Sequence, residues 1–160
     1  MNPKVYIESS VISYLTARSS RDVVVAGRQA VTHDWWSNHR QRFDLFVSVL
    51  VEDEIAKGDP VAASLRTERI SGLESLKITD DAVMLAEHLL SNGAVPVGSE
   101  EDALHIGVAA AQGMDYLLTW NFRHINNAER KSHIVRLVES FGFQCPLLCS
   151  PEELGGVSYD

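Results

Sequence analysis

Five short runs rich in Val, Ile, Leu, Tyr and Phe recur along this chain, each separated from the next by a helix-patterned stretch. They are Lys4–Ile7, Asp44–Ser48, Ser75–Ile78, Tyr116–Thr119 and Gln144–Cys149. Runs of this length are too short for stable helices, and their composition is that of strands. The intervening spacing predicts helices over Val11–Ala17, Arg21–His39, Val49–Lys57, Val61–Ile70, Asp81–Ser91, Glu100–Gln112 and Ala128–Phe141. A helical crossover returns the chain to the end of the sheet it started from, so alternating strands and helices demand parallel pairing. The expected fold class is therefore α/β: three layers, α/β/α, around a central and mainly parallel sheet of about five strands. The 160 residues fit a single domain spanning 1–160, long enough to bury a substantial core.

Boundary residues agree with this division. Ser10 is placed to cap the first helix, and Thr79 or Asp80 the helix over Asp81–Ser91. Gly58-Asp59-Pro60 ends one helix and starts the next, while Asn92-Gly93 and Gly113 read as stops. Val83, Ala86 and Leu90 form one predicted apolar stripe, and Ile134, Val135, Val138 and Phe141 another. Ala103–Ala111 is apolar nearly all round, as a buried helix is, apart from a narrow stripe through Asp102, His105 and Gln112. A single polar stripe that begins in a carboxylate points to a helix lining a cleft.

Acidic or amide residues stand where strands end or helices begin. Glu8 follows Val5-Tyr6-Ile7, Glu54 lies beyond Ser48 at the edge of an apolar face, Asp102 opens its helix, and Asn121 follows Leu117-Leu118-Thr119. Parallel strands deliver their carboxyl ends to one crevice, so residues this scattered can meet. Clustered carboxylates resist joint ionisation unless a positive charge sits among them, and a divalent metal is the usual solution. Each residue also has a plainer reading. Glu8 suits an exposed turn, Glu52-Asp53-Glu54 a solvated helix face, Ser99 to Asp102 a capping box, and Asn121 a turn. His105 suits a supporting role, holding a carboxylate in place, and His124 is read as an ordinary hydrogen-bonded histidine.

The formal net charge of −8 argues against generic nucleic-acid binding but not against a metal-bridged phosphodiester. Arg18, Arg21, Arg28, Arg40 and Arg42 fall in the first third as candidate phosphate contacts, and Trp35-Trp36 as candidate base-stacking or packing residues. Cys145 and Cys149 lack a second Cys/His pair and are expected to be reduced, buried thiols. No apolar stretch approaches a membrane span and Met1-Asn2-Pro3-Lys4 does not open a signal peptide, so a cytoplasmic location is expected.

Taken in order, four segments resemble the PIN domain family of VapC-type toxin ribonucleases: Val5 to Leu15 around Glu8, Ser48 to Gly58 around Glu54, Asp102 to Ala111, and Asp115 to Phe122 with its Thr119-Trp120-Asn121 ending. The first acid, usually Asp in that family, is Glu8 here, and Asn121 stands where an Asp or Asn is found. The resemblance implies Mg²⁺- or Mn²⁺-dependent hydrolysis of RNA by an endoribonuclease, with the toxin of a toxin–antitoxin pair as one setting. It implies Glu8 and Asp102 as principal metal ligands, Glu54 as a residue that orients or deprotonates water or holds a second ion, and Asn121 as a direct or water-mediated ligand. Ser9 or Thr119 would hydrogen-bond the ligands. Implied partners are an RNA substrate, an antitoxin protein and a second copy of the chain in a homodimer, seated on apolar residues of the early helices.

Other acid-at-strand-end folds fit less well. A haloacid-dehalogenase-type phosphatase needs Asp-x-Asp-x-Thr, where this chain has Glu8-Ser9-Ser10-Val11, and a phospho-receiver needs a lysine that Thr119-Trp120-Asn121 lacks. The alternative that competes best is a catalytically weak or inactive PIN-like module that binds RNA or protein.

Overall fold

A computed structural model of the protein describes residues 1–155; residues 156–160 of the expected single domain lie outside the described residues. Strands β1 (Lys4–Ile7), β2 (Asp44–Ser48), β3 (Glu74–Leu76), β4 (Tyr116–Leu118) and β5 (Leu147–Cys149) make one sheet in the order β3-β2-β1-β4-β5. Every neighbouring pair is parallel, which is stricter than the mainly parallel sheet expected. The helices are α1 (Ser9–Thr16), α2 (Val23–Asn38), α3 (Val49–Ile55), α4 (Pro60–Arg69), α5 (Asp80–Ser91), α6 (Glu100–Ala111), α7 (Ala128–Ser140) and α8 (Pro151–Leu154).

Chain direction places the layers. From β1 the chain steps outward through β2 to β3, then crosses back to β4 on the far side of β1 and on to β5. Right-handed crossovers put the first group of helices on one face and the second on the other. Consistent with this, α1 packs on α2, α3 and α4, whereas α5 packs on α6 and α7. The reversal falls between β1 and β4, where open parallel sheets form their crevice beyond the strand ends. Val5, Tyr6 and Ile7 on the central strand are fully buried because both faces are covered.

Helix α6 is the buried one. Ala103, His105, Ile106, Gly107, Val108, Ala109 and Ala110 are all buried, and small side chains let α6 lie directly on α5. At Gly107 the approach is so close that a Cβ would stand 2.3 Å from the carbonyl oxygen of Ala82.

Several boundaries differ from the sequence expectation, each for a local reason. Asp22 caps α2 through Val25 N, so the helix starts at Val23 rather than Arg21. The third strand is shifted to Glu74–Leu76, where β2 offers partners from Phe46 to Ser48. The fifth begins after Pro146, which cannot donate to the ladder. Cys145 thus lies outside the strand and Cys149 ends it. Both cysteines are free, Cys149 buried as expected and Cys145 only partly so, and burial pushes both thiols up to about 12. Helix α8 was not expected, although Ser150-Pro151-Glu152-Glu153 carries a capping box with Pro in the first turn. Thr79 caps α5, while Glu8 takes the place expected of Ser10.

The expected apolar stripes hold in part, at Ala86 on α5 and at Ile134 and Val138 on α7. On α5 the buried positions are Ala82, Leu85, Ala86 and Leu89, while Val83 is exposed and Leu90 only partly covered. On α7 Ile134 and Val138 are buried, but Phe141 is exposed and stacks on His88 at 4.2 Å. Trp35 and Trp36 are buried, Trp35 against Phe43 and Trp36 beneath Arg40, so neither is available to stack bases. Among the described residues, no helix is long and apolar enough to cross a membrane.

Candidate active site

The site assembles at the crevice between β1 and β4. Glu8 directly follows β1, and its backbone N–H donates to Leu118 O at 3.1 Å, which ties it to the end of β4. Its side chain is almost fully buried and accepts three hydrogen bonds, which leaves Oε2 a free lone pair. Oε1 accepts from Ser10 Oγ at 2.5 Å and from Thr119 Oγ1 at 2.6 Å, and Oε2 accepts from Ser10 N at 3.0 Å. One carboxylate thereby caps α1 and is aimed by hydroxyls from two separate segments.

Glu54 comes from α3 and is turned toward the same place. Its Oε1 accepts from Ser9 Oγ at 2.5 Å and from His105 Nε2 at 2.6 Å. Burial alone would raise this carboxyl, but the hydrogen bond and charge of His105, with the hydroxyl of Ser9, bring it down to about 2. His105, itself 1% exposed, is shifted the other way. Burial favours the neutral ring, yet the bond to Glu54 and the charges of Glu8, Glu54 and Asp102 raise it.

Behind His105 runs a buried relay. Tyr6 Oη lies 2.6 Å from His105 Nδ1 and 2.7 Å from Ser48 Oγ, and Ser48 Oγ also accepts from Val51 N at 3.2 Å to cap α3. Burial holds the Tyr6 phenol well above its ordinary range, so it stays protonated. Because Glu54 is ionised, the Nε2 proton of His105 faces it in either ring charge state. His105 therefore positions Glu54 and has no free lone pair on that nitrogen.

A pH signature follows for the metal-free protein. The raised His105 stabilises the fold fully below its ordinary 6.5 and loses that contribution as pH climbs through its folded value. The lowered Glu54 contributes above its ordinary 4.5 and loses its part as pH falls toward 2. Both contributions coexist between these ordinary values, so thermal stability in EDTA is expected to peak in mildly acidic buffer. His105→Gln should flatten the alkaline decline; an unaltered pH profile in that variant would contradict the pairing.

Asp102 enters from the first turn of α6. Its Oδ2 lies 2.8 Å from His124 Nδ1, and its Oδ1 accepts from Asn121 Nδ2 at 3.1 Å. The capping box over Ser99 to Asp102 does not form: Ser99 makes no side-chain cap and instead lies 3.2 Å from His124 Nδ1. Asn121 does turn the chain, accepting at Oδ1 from the backbone N–H of Arg123 and of His124. Its own N–H donates to Thr119 Oγ1, which links it back to Glu8. A groove of about 380 Å³ opens beside these groups, lined by Gly98, Ser99, Glu100, Glu101, Asp102 and His124.

The scattered residues thus converge, with unequal roles. A carboxylate oxygen of Glu8, one of Glu54 and a ring nitrogen of His105 all lie within 4.8 Å of one another, with the imidazole engaged as a donor to Glu54, and Asp102 stands outside that trio, close enough for its charge to raise His105. Gln112, the far end of the predicted polar stripe, bonds Lys77 O instead of lining the cleft. The early arginines are dispersed: Arg28 covers Trp120 and Phe122, Arg42 bonds the carbonyls of Leu154 and Gly155, and Arg40 covers Trp36 and lines, with Arg18, a groove that contains none of these carboxylates. Sequence reasoning missed Tyr6, Ser10 and Ser48, and treated His124 as ordinary. The one available signal was hydroxyl spacing, with Ser10 two residues past Glu8 and Ser48 at a strand end.

Comparison with solved structures places this architecture. The structure is similar to VapBC2 from Rickettsia felis, solved bound to a DNA fragment from its promoter, with a TM-score of 0.58 at 12% identity over 92% of this chain and 98% of that one. It is similar also to VapC20 of Mycobacterium tuberculosis, described as a sarcin-ricin loop cleaving toxin, with a TM-score of 0.59 at 16% identity over 78% of this chain and 95% of that one. The fold is that of a PIN domain. No protein-family profile matches the chain, and no curated protein sequence does. In this PIN fold the carboxylates meet at the strand ends of the central crevice, with hydroxyls and one buried imidazole as their supports.

Proposed function

We propose that the protein is a divalent-metal-dependent endoribonuclease, with the toxin of a toxin–antitoxin pair as its setting. The observation that carries this reading is the convergence of Glu8 and Glu54 to within ligand distance, with Asp102 beside them, at the switch point of the sheet. The donor set fits a hard cation, since carboxylate oxygens and water are what Mg²⁺ and Mn²⁺ prefer. Glu8 and Asp102 would hold the ion, Glu8 through the lone pair left on Oε2. When bound, the ion supplies positive charge for the developing phosphorane and lowers the pKa of water.

The protein's own groups then divide the work. A carboxyl held near 2 is a weak proton acceptor at neutral pH, so Glu54 serves as a fixed anion that orients water or adds a ligand oxygen, more than as a base. Ser9, Ser10 and Thr119 fix the carboxylates, which spares reorganisation when charge moves. Asn121 spends Oδ1 on backbone and Nδ2 on Asp102, so its part is to aim Asp102 and turn the chain. An amide there also spares the site a further negative charge.

The solved VapC relatives support the toxin setting, with an antitoxin and a second copy as proposed partners. Val23 and Val24, exposed on α2, are apolar candidates for such contact. The test is cleavage of structured RNAs by purified protein in Mg²⁺, Mn²⁺ or EDTA. Cleavage is expected with either ion and none in EDTA, and Mn²⁺ should raise the melting temperature. RNA binding without cleavage, and no stabilisation by either ion, would favour the inactive binding module.

A further inference from the structure

The residue after Asn121 is an aromatic that the core does not enclose. Phe122 is 37% exposed, whereas its neighbour Trp120 is only 5% exposed and satisfied through Nε1 to Thr32 Oγ1 at 2.8 Å. The core is closed without the Phe122 ring. Yet the ring is held: Trp120 meets it edge-on at 5.9 Å, and the Arg28 guanidinium lies 5.1 Å from its centroid and 5.6 Å from that of Trp120. Arg28 is steadied in turn by Tyr14 Oη at 3.4 Å. These groups wall a groove of about 340 Å³ with Val24, Gly27, Val31 and Glu152.

We propose that Phe122, backed by Arg28 and Trp120, is a stacking platform for one unpaired nucleobase beside the scissile phosphate of single-stranded RNA. The inference rests on the ribonuclease reading and adds how the substrate is gripped. Three observations favour a base as the occupant. Phe122 directly follows Asn121, whose Nδ2 touches Asp102, so the segment that carries the ring is the one that carries a residue of the candidate site. The cationic groups here, Arg28 and the exposed Arg123, attract the sugar-phosphate chain in a molecule whose overall charge would repel it. The carboxylate of Glu152 within the groove disfavours a phosphate there and leaves the uncharged base to enter. Aromatic rings and stacked guanidinium groups are the usual receptors for splayed bases, because every base has a π-face.

The test uses the whole protein and a short single-stranded oligoribonucleotide carrying 2-aminopurine, first in EDTA. Binding is expected to quench the fluorophore with the parent protein and with Phe122→Tyr. Phe122→Leu, which keeps apolar cover over Trp120, should lose the quench and bind about tenfold more weakly. In Mn²⁺, moving a single abasic ribose along the oligonucleotide should find one position that lowers kcat/KM of the parent about tenfold and leaves Phe122→Leu unaffected. Cleavage that is indifferent to Phe122 and to every abasic position would overturn the platform while leaving the ribonuclease reading intact. Quenching that depends on Phe122, without cleavage in any metal, would sink the ribonuclease reading and keep the platform. Absence of any RNA binding would overturn both.

Discussion

Asp102→Asn is expected to reduce RNA cleavage in Mn²⁺ by on the order of 10³-fold while the protein folds as its parent does. The substitution keeps nearly the same shape and removes the carboxylate charge proposed to hold the cation that would balance negative charge developing on phosphorus. A loss of about 4 kcal/mol in transition-state stabilisation corresponds to that factor. Asp102 is the cleanest position for such a test. Its side chain is 22% exposed and bonds only Asn121 and His124, so removing its charge strands no buried partner. Glu8 is a poorer probe, because it also caps α1 and accepts three hydrogen bonds from a buried position. Steady-state cleavage of a labelled RNA, with a melting curve on the same sample, decides the matter. Unchanged cleavage by Asp102→Asn would remove it from the site.

Gly107→Ala is expected to destabilise the fold by about 3 kcal/mol, at the upper end of overpacking costs. In this length class that lowers the melting temperature by roughly 10 °C. Helix propensity alone predicts the opposite sign, since alanine exceeds glycine by about 1 kcal/mol in a helix interior. Geometry decides which effect wins. The new methyl would sit 2.3 Å from Ala82 O, 3.2 Å from its carbonyl carbon and 3.4 Å from its Cα, all backbone atoms of α5 that cannot rotate aside. Relief requires α5 and α6 to separate, and α6 carries both Asp102 and His105. Activity should therefore fall with stability, in contrast to Asp102→Asn. Thermal or urea denaturation checks the sign, and a stabilised variant would show the two helices to be less tightly seated.

These two positions mark what the sequence reveals and what it hides. Glu8 and Asn121 were legible because a strand's end can be read from where its apolar run stops, and parallel topology then sends those ends to one crevice. Asp102 was legible because it breaks an otherwise apolar helix. Gly107 was not, since a close helix crossing depends on which residue of another element faces it. The relay through Tyr6 was hidden for a related reason. Within a strand Tyr6 reads as one more apolar residue, and only the fold brings its hydroxyl to His105 and Ser48. Of the two readings open for Trp35-Trp36, packing holds and base stacking does not, because α2 turns both indoles into the core. The edge strands were placed less well than the central ones, because a two-sided cover writes a longer apolar signal than a single neighbour does.

The hydrogen bonds that build the centre have one further consequence, for the timing of activity during synthesis. Thr119 reaches back 111 residues to Glu8, and His105 reaches 51 to Glu54. Neither local helices nor any single crossover unit contains a complete set of carboxylates with their supports. A growing chain must emerge through β4 before Glu8 is aimed, and β4 gains its outer neighbour only when β5 is made. Nonlocal contacts of this kind form late. On the ribonuclease reading, a half-made chain would lack a complete set of supported carboxylates, and cleavage would wait until the sheet is closed.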